Sequence, residues 1–274
     1  MPRNKPNIVI TGGTRGLGFY TAKYLSKLGW NLIIIDISPR ACSVYKENKN
    51  IKEVQSKLSN NNNVNFYFGD LTKEQKIKKL FKKIIKKHKT IDGLVTFAGG
   101  DISGKDKKAS GGKAKENNLF VKKEEFSNIF ERNFLSTFFT LRSCIPIMKK
   151  EKKGRIVTIS SVLGTFGSHH EYAYAASKST ILHLTRASAN YCREWNINVN
   201  CIAPSGITSG RFLKTMKSRS KHDLKRLEQK KNRLLGFGYP EDVAKCVYFL
   251  LSDLSPFISG QVIRLDGGEL STPV

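Results

Sequence analysis

Short apolar runs alternate along the chain with longer segments in which apolar residues recur every three or four positions. The short runs have the length of buried strands. They are predicted at Ile8–Thr11, Leu32–Asp36, Val64–Phe68, Ile91–Phe97, Arg155–Ser160, Val199–Ala203 and Gln261–Leu265. Among the longer segments, Leu17–Leu28 predicts a helix that ends at Gly29. Lys73–His88 predicts an amphipathic helix with lysines on its outer side.

Strands that alternate with helices indicate a parallel sheet covered on both faces, because each crossover helix packs back on the sheet. No internal repeat and no linker divides the 274 residues. The pattern therefore predicts a single α/β domain over residues 1–274, with a doubly wound parallel sheet of about seven strands and helices on both faces.

Two segments depart from this alternation. Residues 101–118 are rich in Gly, Ser and Lys, so an exposed, mobile loop is predicted there. In residues 209–233, ten Lys or Arg residues stand against two acids, and the apolar stripe is weak. A flexible, partly helical excursion is predicted for this second segment.

The strongly positive net charge is compatible with several classes of binding partner. The chain has 48 Lys and Arg against 22 Asp and Glu, a net charge of +26, which could serve nucleic acid, an acidic protein or an anionic substrate. Most lysines fall on the outer sides of helical patterns and are not interleaved with aromatic residues, so a lysine-rich sequence bias is favoured over nucleic-acid binding.

The cellular location is predicted from the apolar runs and from the N-terminal residues. No apolar run reaches the length of a membrane span, and the N-terminus has no apolar leader, so a cytoplasmic protein is expected. The five cysteines form no C-x-x-C pair, which indicates reduced, structural thiols.

The turn after the first predicted strand reads TGGTRGLG and places Gly12, Gly16 and Gly18 between a strand and a helix. Glycines there let the backbone approach a pyrophosphate, and the N–H groups that open the helix face the phosphates. A Rossmann-type dinucleotide site is therefore predicted.

Three side chains bear on the choice of dinucleotide. Asp36 closes the second strand, where a carboxylate can bind both adenosine ribose hydroxyls and repel a 2'-phosphate. Arg15 and Arg40 argue the other way, since either guanidinium could pair with that phosphate. NAD(H) is favoured on this balance, and NADP(H) is not excluded.

Asp70 follows the third strand. It either touches the adenine or caps the next helix.

Tyr174 and Lys178 stand four residues apart, so they share one face of a helix. Further motifs in order along the chain are TGGTRGLG, the strand-end Asp36, GDLT, TFAGG, Asn133 in RNFLS, ISS ending at Ser161, and IAPS at Pro204. With these pieces the sequence resembles the short-chain dehydrogenase/reductase family over nearly its whole length.

The resemblance implies an oxidoreductase that interconverts a secondary alcohol and a ketone. Tyr174 would be the general acid or base. Its phenol has an ordinary pKa of about 10, so acting near neutral pH needs about 4 kcal/mol in favour of phenolate. The cation of Lys178 supplies stabilisation of that sign.

The same resemblance implies two more catalytic roles and a set of cofactor contacts. Ser161 would hold the substrate oxygen, with Ser160 as the reserve, and Asn133 would help a water chain carry a proton from Lys178 to solvent. Cofactor contacts are implied at Gly12, Thr14, Arg15, Gly16, Leu17, Gly18, Asp36, Asp70, Leu71, Ala98, Gly99, Tyr174, Lys178, Pro204 and Ile207.

The chain departs from the family pattern at two places beside the nicotinamide half of the predicted site. Thr96 and Phe97 stand where the family usually has two asparagines, and Ser205 follows Pro204 where it usually has glycine. Neither change removes a catalytic group.

In the family, the segment after the sixth strand folds over the substrate, which here is about residues 205–235. Its cations favour an anionic substrate, although solvated charge on a loop explains them equally well. A 3-oxoacyl thioester reductase, a sugar or polyol dehydrogenase and a tailoring ketoreductase all fit. A regulator that keeps the fold, or a nucleic-acid partner, is the alternative from another class.

His169 and His170 are expected near the pocket mouth, and without a third ligand they predict no metal site.

The helix that bears Asn133 carries more apolar surface than one sheet face can cover. Its apolar positions are Phe130, Phe134, Phe138, Leu141 and Ile145, with Phe139 beside them. In the family, this helix and the one that bears Tyr174 pack against a second subunit. A homodimer or homotetramer is therefore expected.

Overall fold

The computed structural model describes residues 5–58, 63–100, 118–168, 171–214, 221–229 and 232–270. Its strands are β1 (Asn7–Thr11), β2 (Asn31–Asp36), β3 (Val64–Phe68), β4 (Gly93–Thr96), β5 (Gly154–Ile159), β6 (Ile197–Pro204) and β7 (Val262–Leu265). Its helices are α1 (Gly16–Lys27), α2 (Ile51–Leu58), α3 (Glu74–His88), α4 (Lys123–Phe130), α5 (Ser136–Glu151), α6 (Tyr172–Cys192), α7 (Gly210–Lys214), α8 (Lys221–Leu227) and α9 (Pro240–Leu251).

All seven strands form one parallel sheet in the order β3-β2-β1-β4-β5-β6-β7. The predicted doubly wound Rossmann architecture is confirmed. Strand order reverses between β1 and β4, and a crevice at such a reversal, outside the carboxyl ends of the strands, is where this architecture binds ligands.

The two sheet faces carry separate apolar cores because successive strand residues point to opposite sides. Ile8 and Ile10 of β1 belong to the core that includes residues of α1 and α9, whereas Val9 belongs to the core under α3, α5 and α6. Apolar runs without polar alternation are typical of strands buried on both faces. The apolar stripe of α3 is buried as its periodicity predicts.

Most predicted bounds agree with the structure to within two residues. The largest differences are at β4, which is shorter than predicted, and at β6, which starts two residues earlier. The segment between β2 and β3 contains a 3-10 turn at Pro39–Ser43 before α2. Among the described residues, no helix combines the length and apolarity needed to cross a membrane.

Parts of two predicted segments lie outside the described residues. In the first, this applies to 101–117. In the second, 215–220, 230 and 231 are outside, whereas α7, α8 and a 3-10 turn at Arg233–Leu235 supply the predicted helical content. His169 and His170 also lie outside the described residues.

Candidate active site

Tyr174 and Lys178 lie one turn apart at the start of α6. The Nζ atom of Lys178 is 5.6 Å from the centre of the Tyr174 ring, so helical spacing brings the pair together. Tyr174 is half-buried, while Tyr172 is 37% exposed. The cation therefore lies beside the second tyrosine of the YAYAASK stretch.

Lys178 is a buried cation that binds the backbone at the end of β5. Its side chain is 6% exposed, and Nζ donates a hydrogen bond of 2.9 Å to the carbonyl of Ile159, the last residue of β5. Burial lowers the pKa of Lys178 to about 8, while Cys201 raises it and Arg211 lowers it. The ammonium is therefore charged at neutral pH and gives up its proton more readily than an exposed lysine.

The two serines after β5 point to different partners. The hydroxyl of Ser160 donates to the carbonyl of Lys178 at 2.8 Å, so this side chain ties the end of β5 to α6. The hydroxyl of Ser161 accepts from the N–H of Leu163 at 3.3 Å and caps the short 3-10 turn Val162–Gly164. Ser161, unlike Ser160, therefore keeps its proton for another acceptor.

Asn133 lies in a π-helical turn, Glu131–Leu135, between α4 and α5. Its Oδ1 accepts from the N–H of Gly100 at 2.7 Å, and its Nδ2 donates to the carbonyl of Ile129 at 2.9 Å. The buried amide thus fixes the loop after β4 to this helix. Single π turns inside helices frequently occur at functional sites.

The glycine turn packs directly on the strand across the topological switch. Gly12 has φ of +67°, and a Cβ there would come within 2.9 Å of the Ala98 backbone nitrogen. A Cβ on Gly18 would come within 2.2 Å of the Gly12 carbonyl oxygen. The N–H of Ala98 also binds the Thr11 hydroxyl at 3.1 Å. The turn and the end of β4 therefore form one wall of the crevice.

Two implied cofactor residues bind each other. Thr14 is fully buried, and its hydroxyl and N–H donate to Oδ2 of Asp36 at 2.6 and 3.2 Å. Oδ1 of Asp36 accepts from the N–H of Ile37 at 2.8 Å. Oδ2 thus stabilises the glycine turn and Oδ1 binds the backbone after β2, an arrangement that was not expected from the sequence, which assigned Asp36 to the ribose hydroxyls.

Arg15 offers a charged group next to that turn. Its guanidinium lies over the ring of Tyr45, 5.2 Å from the ring centre. Its Nη1 is buried and has no hydrogen-bond partner within the described part of the chain. A buried, unsatisfied cationic donor is costly, so this atom is suited to an anionic ligand. Arg40 is exposed in the 3-10 turn that follows β2.

Asp70 and Leu71 are engaged within the protein. Oδ1 of Asp70 accepts from the N–H and hydroxyl of Thr72 at 2.9 and 2.7 Å. The N-cap of α3 is Lys73, so the helix-cap alternative for Asp70 is wrong. The Leu71 side chain is buried in the core under α3. Only its backbone remains for a cofactor.

The remaining implied cofactor positions lie at or beside the carboxyl ends of the central strands. Leu17 is in the first turn of α1, partly buried against the core. Gly99 follows β4, Pro204 ends β6, and Ile207 is buried in a bridge to Gly238.

Glu47 is the residue that the sequence analysis missed. Its Oε2 accepts from the N–H of Gly16, which opens α1, at 2.7 Å, and its Oε1 accepts from the N–H of Gly210, which opens α7, at 2.9 Å. A carboxylate therefore binds the N–H group that the glycine motif assigns to a phosphate. The two donors lie 31 and 163 residues from Glu47 in the sequence, so no local sequence pattern predicts either contact.

The cations of residues 205–235 have different surroundings. Arg226 pairs with Glu269, Arg233 pairs with Asp242, and Lys214 donates to the carbonyl of Val44. Arg211 instead lies against the loop after β4, where a Cβ on Gly100 would come within 2.1 Å of its Nη1. Arg211 also lowers the pKa of Lys178, behind the effect of burial. Among these four cations, Arg211 faces the candidate site.

One surface concavity lies beside the glycine turn, and another lies far from it. One of about 370 Å³ lies beside the glycine turn, lined in part by Tyr20, Tyr45 and Glu47 from one side and by Gly210 and Lys214 from α7. A larger one of about 520 Å³ lies near the far ends of α5 and α6, lined in part by Lys149, Tyr191 and Trp195. Tyr174 and Tyr191 are about 25 Å apart along α6, so the larger concavity is separate from the candidate site.

Comparison with known proteins places these features in a family context. The model of the short chain dehydrogenase family matches residues 6–220. The 3-oxoacyl-acyl-carrier-protein reductase of Chlamydia trachomatis is 31% identical over 95% of this chain and 95% of its own. The Thermotoga maritima reductase of the same name is 31% identical over 95% of this chain and 96% of its own. The solved structure of ElxO with NADP bound has a TM-score of 0.81 and 29% identity, and the match covers 98% of this chain and 100% of that one.

Proposed function

The chain belongs to the short-chain dehydrogenase family, and from that premise we propose that it interconverts a ketone and a secondary alcohol with Tyr174 as the general acid or base. Membership makes it an NAD(P)-dependent oxidoreductase. The catalytic roles, the choice of NADP(H), the anionic substrate and the assembly are the parts proposed. The Tyr174 and Lys178 pair is the single observation that carries the proposal, because its cation lies beside the phenol ring.

The residues present fit a dinucleotide. The N–H of Gly16 already binds an anionic oxygen, that of Glu47, and Nη1 of Arg15 is buried with no hydrogen-bond partner among the described residues. Gly12, Gly16 and Gly18 would hold the pyrophosphate, and Lys178 would hold the nicotinamide half. When bound, the nicotinamide supplies or accepts the hydride.

The protein's own part is to move a proton. In reduction, Tyr174 donates its phenolic proton to the substrate oxygen as negative charge develops there. The Lys178 ammonium stabilises the phenolate that remains, and it does so in a buried setting where charges interact strongly. Ser161 donates a hydrogen bond from its hydroxyl to the same oxygen and keeps its proton. Asn133 fixes the Gly100 loop beside the site, and its role in returning a proton from solvent is part of the proposal.

NADP(H) is the better-supported cofactor, against the NAD(H) preference expected from the sequence. That preference depends on Asp36, and both of its carboxylate oxygens are engaged within the protein. Oδ2 binds Thr14 of the glycine turn, and Oδ1 binds the N–H of Ile37. Arg15 carries a buried donor suited to a 2'-phosphate. The similar ElxO structure contains NADP.

A 3-oxoacyl group on an anionic thioester is the proposed substrate. Arg211 supports an anionic substrate because it lies at the Gly100 loop and acts on Lys178. The names of the two similar reductases favour the 3-oxoacyl thioester over a sugar or a hydroxy acid, and they favour the reductive direction.

The first experiment replaces Tyr174 by Phe. Removal of one hydroxyl abolishes proton donation, so kcat for ketone reduction should fall by about 10²–10⁴-fold. Binding of NADPH should change little, because the ring and Lys178 stay in place. The rate is followed by NADPH absorbance over a panel of ketones and 3-oxoacyl thioesters.

Tyr172→Phe is the matched control. It removes the same atom from the exposed tyrosine two residues earlier and should keep the wild-type rate. A wild-type protein that binds NADPH and reduces nothing on the panel would favour a regulator that keeps the fold. Equal loss in both variants would remove Tyr174 from its proposed role.

A further inference from the structure

Glu47 occupies a position that is shaped for an anion. Its carboxylate accepts from the first N–H of α1, a 12-residue helix whose N-terminus carries partial positive charge. Its second oxygen accepts from the N–H of Gly210 at 2.9 Å, and a Cβ on Gly210 would come within 2.6 Å of the Glu47 carboxyl carbon. The carboxylate fits because Gly210 has no Cβ, whereas a Cβ on Gly16 would meet nothing within 4 Å.

Neighbouring contacts hold the segment around Glu47 in this position. The Lys57 ammonium donates to the carbonyl of Glu47 at 3.3 Å and to Oδ1 of Asn48 at 2.9 Å. The buried amide of Asn48 donates to the carbonyl of Thr14 at 3.3 Å. Asn48 therefore attaches the segment to the glycine turn, and Lys57 attaches it to α2.

The same segment is attached to α7. Lys214 donates to the carbonyl of Val44 and lies 5.4 Å from the centre of the Tyr45 ring, on which Arg15 also lies. Glu47 therefore connects the glycine turn with the helix that carries Arg211.

We propose that Glu47 competes with the diphosphate of the cofactor for the N–H of Gly16 and so sets the cofactor affinity. This inference rests on the proposed function. Two anions cannot share one donor at hydrogen-bond distance, because their repulsion adds to the loss of the bond. The dinucleotide displaces the carboxylate, and α7 then loses its tie to the glycine turn.

Glu47→Gln tests the competition, since the amide keeps the size of the side chain and removes its charge. The dissociation constant for NADPH, measured by calorimetry, should fall about tenfold, as expected for removal of one charge-assisted competitor. Glu241→Gln is the control: Glu241 is exposed in the first turn of α9 and acts on Tyr20, as Glu47 does, so it reproduces the charge change alone. Its dissociation constant should stay within about twofold of wild type.

Equal or weaker NADPH binding by Glu47→Gln, with wild-type binding intact, overturns the competition and leaves the proposed function standing. An equal gain in NADPH affinity in Glu47→Gln and Glu241→Gln also overturns the competition, because the gain then comes from the change in net charge and not from the Gly16 contact. If neither wild type nor Glu47→Gln binds a dinucleotide, the proposed function fails and the competition fails with it.

Hydrogen exchange of the wild-type protein provides a measurement that needs no variant. With saturating NADPH, residues 44–48 should exchange faster than without it, because their attachment through Glu47 is lost. The glycine turn should exchange more slowly. Unchanged or slower exchange at 44–48 would show that Glu47 stays bound, which overturns the inference.

Discussion

At the scale of single residues, Asp36 stands at the motif position that the sequence assigns to ribose recognition. The motif fixes where in the chain the carboxylate lies, and the structure shows which groups it binds: Thr14 and the backbone of Ile37. Arg15, one residue after Thr14, has a buried Nη1 without a hydrogen-bond partner in the described ranges. We therefore expect Arg15, whose Nη1 is unoccupied in the described ranges, to influence cofactor choice more than Asp36, whose carboxylate is already bound.

Replacing Arg15 by Ser should weaken NADPH binding by about tenfold or more, because a guanidinium bond to a phosphate is charge-assisted. NADH binding should change by less than about threefold, since NADH lacks the 2'-phosphate. Calorimetric titration of both cofactors measures the difference.

Arg40→Ser is the control for this change, as Arg40 is the exposed cation after β2. If Arg40→Ser weakened NADPH binding and Arg15→Ser did not, the 2'-phosphate would be assigned to Arg40. A wild type that prefers NADH would refute the NADP(H) assignment.

At the scale of elements, the helix from Lys123 to Glu151 combines the site with a candidate subunit interface. The π turn at Glu131–Leu135 directs Asn133 inward to Gly100. On the outer side, the rings of Phe126, Phe130, Phe134 and Phe138 contact in sequence, with centres 5.2–6.0 Å apart. Phe134 packs on a small core cluster of Ile181 and Leu182 from α6 and Cys201 from β6, which joins the aromatic row to the helix of Tyr174.

We propose that this aromatic row packs against a second copy of the chain, as the family resemblance implies. Phe138→Asp should produce single-chain particles where wild type forms dimers or tetramers, because a desolvated carboxylate has no partner in an apolar interface. Light scattering after size exclusion measures the mass.

Phe120→Asp makes the same change at a side chain that is 81% exposed before α4. It should leave the assembly intact. A monomeric wild type, or an unchanged mass for Phe138→Asp, would reject this interface.

At the scale of the whole molecule, the net charge of +26 is not the charge that the site presents. Arg226 and Arg233 are paired with acids, and Lys214 binds a backbone carbonyl. Arg211 is the cation among these four that lies at the Gly100 loop. The count of ten cations in residues 209–233 therefore overstates what an anionic substrate would meet.

For an anionic 3-oxoacyl thioester, kcat/KM should fall steeply between low and high salt, since the Debye length shrinks from about 30 Å at 0.01 M to about 3 Å at 1 M. Arg211→Gln should raise KM for that substrate about tenfold and reduce its salt dependence. Steady-state kinetics over a salt series measures both.

The same 3-oxoacyl group on a small neutral thioester is the control substrate, and it should respond weakly to salt and to Arg211→Gln. Flat kinetics for the anionic substrate would reject the anionic assignment.

The order of strands and helices and the positions of Tyr174, Lys178, Ser161 and the three glycines could be predicted from the sequence. Periods of two and 3.6 residues specify local structure, and residues four apart on a helix must be neighbours. Buried strands without alternation indicated the parallel, doubly covered sheet.

Only the tertiary structure decided the partners of side chains in turns and loops. Glu47 meets Gly16 and Gly210 across 31 and 163 residues, and Arg211 meets Gly100 across 111 residues. Such contacts depend on how loops lie against one another, and loop side chains follow no period from which their direction could be read. The π turn at Asn133 shifts the helical register by one residue without a sequence period of its own. The sequence alone therefore determined the architecture and the pairing of Tyr174 with Lys178, whereas the packing of distant loops decided which groups lie against the glycine turn and the Gly100 loop.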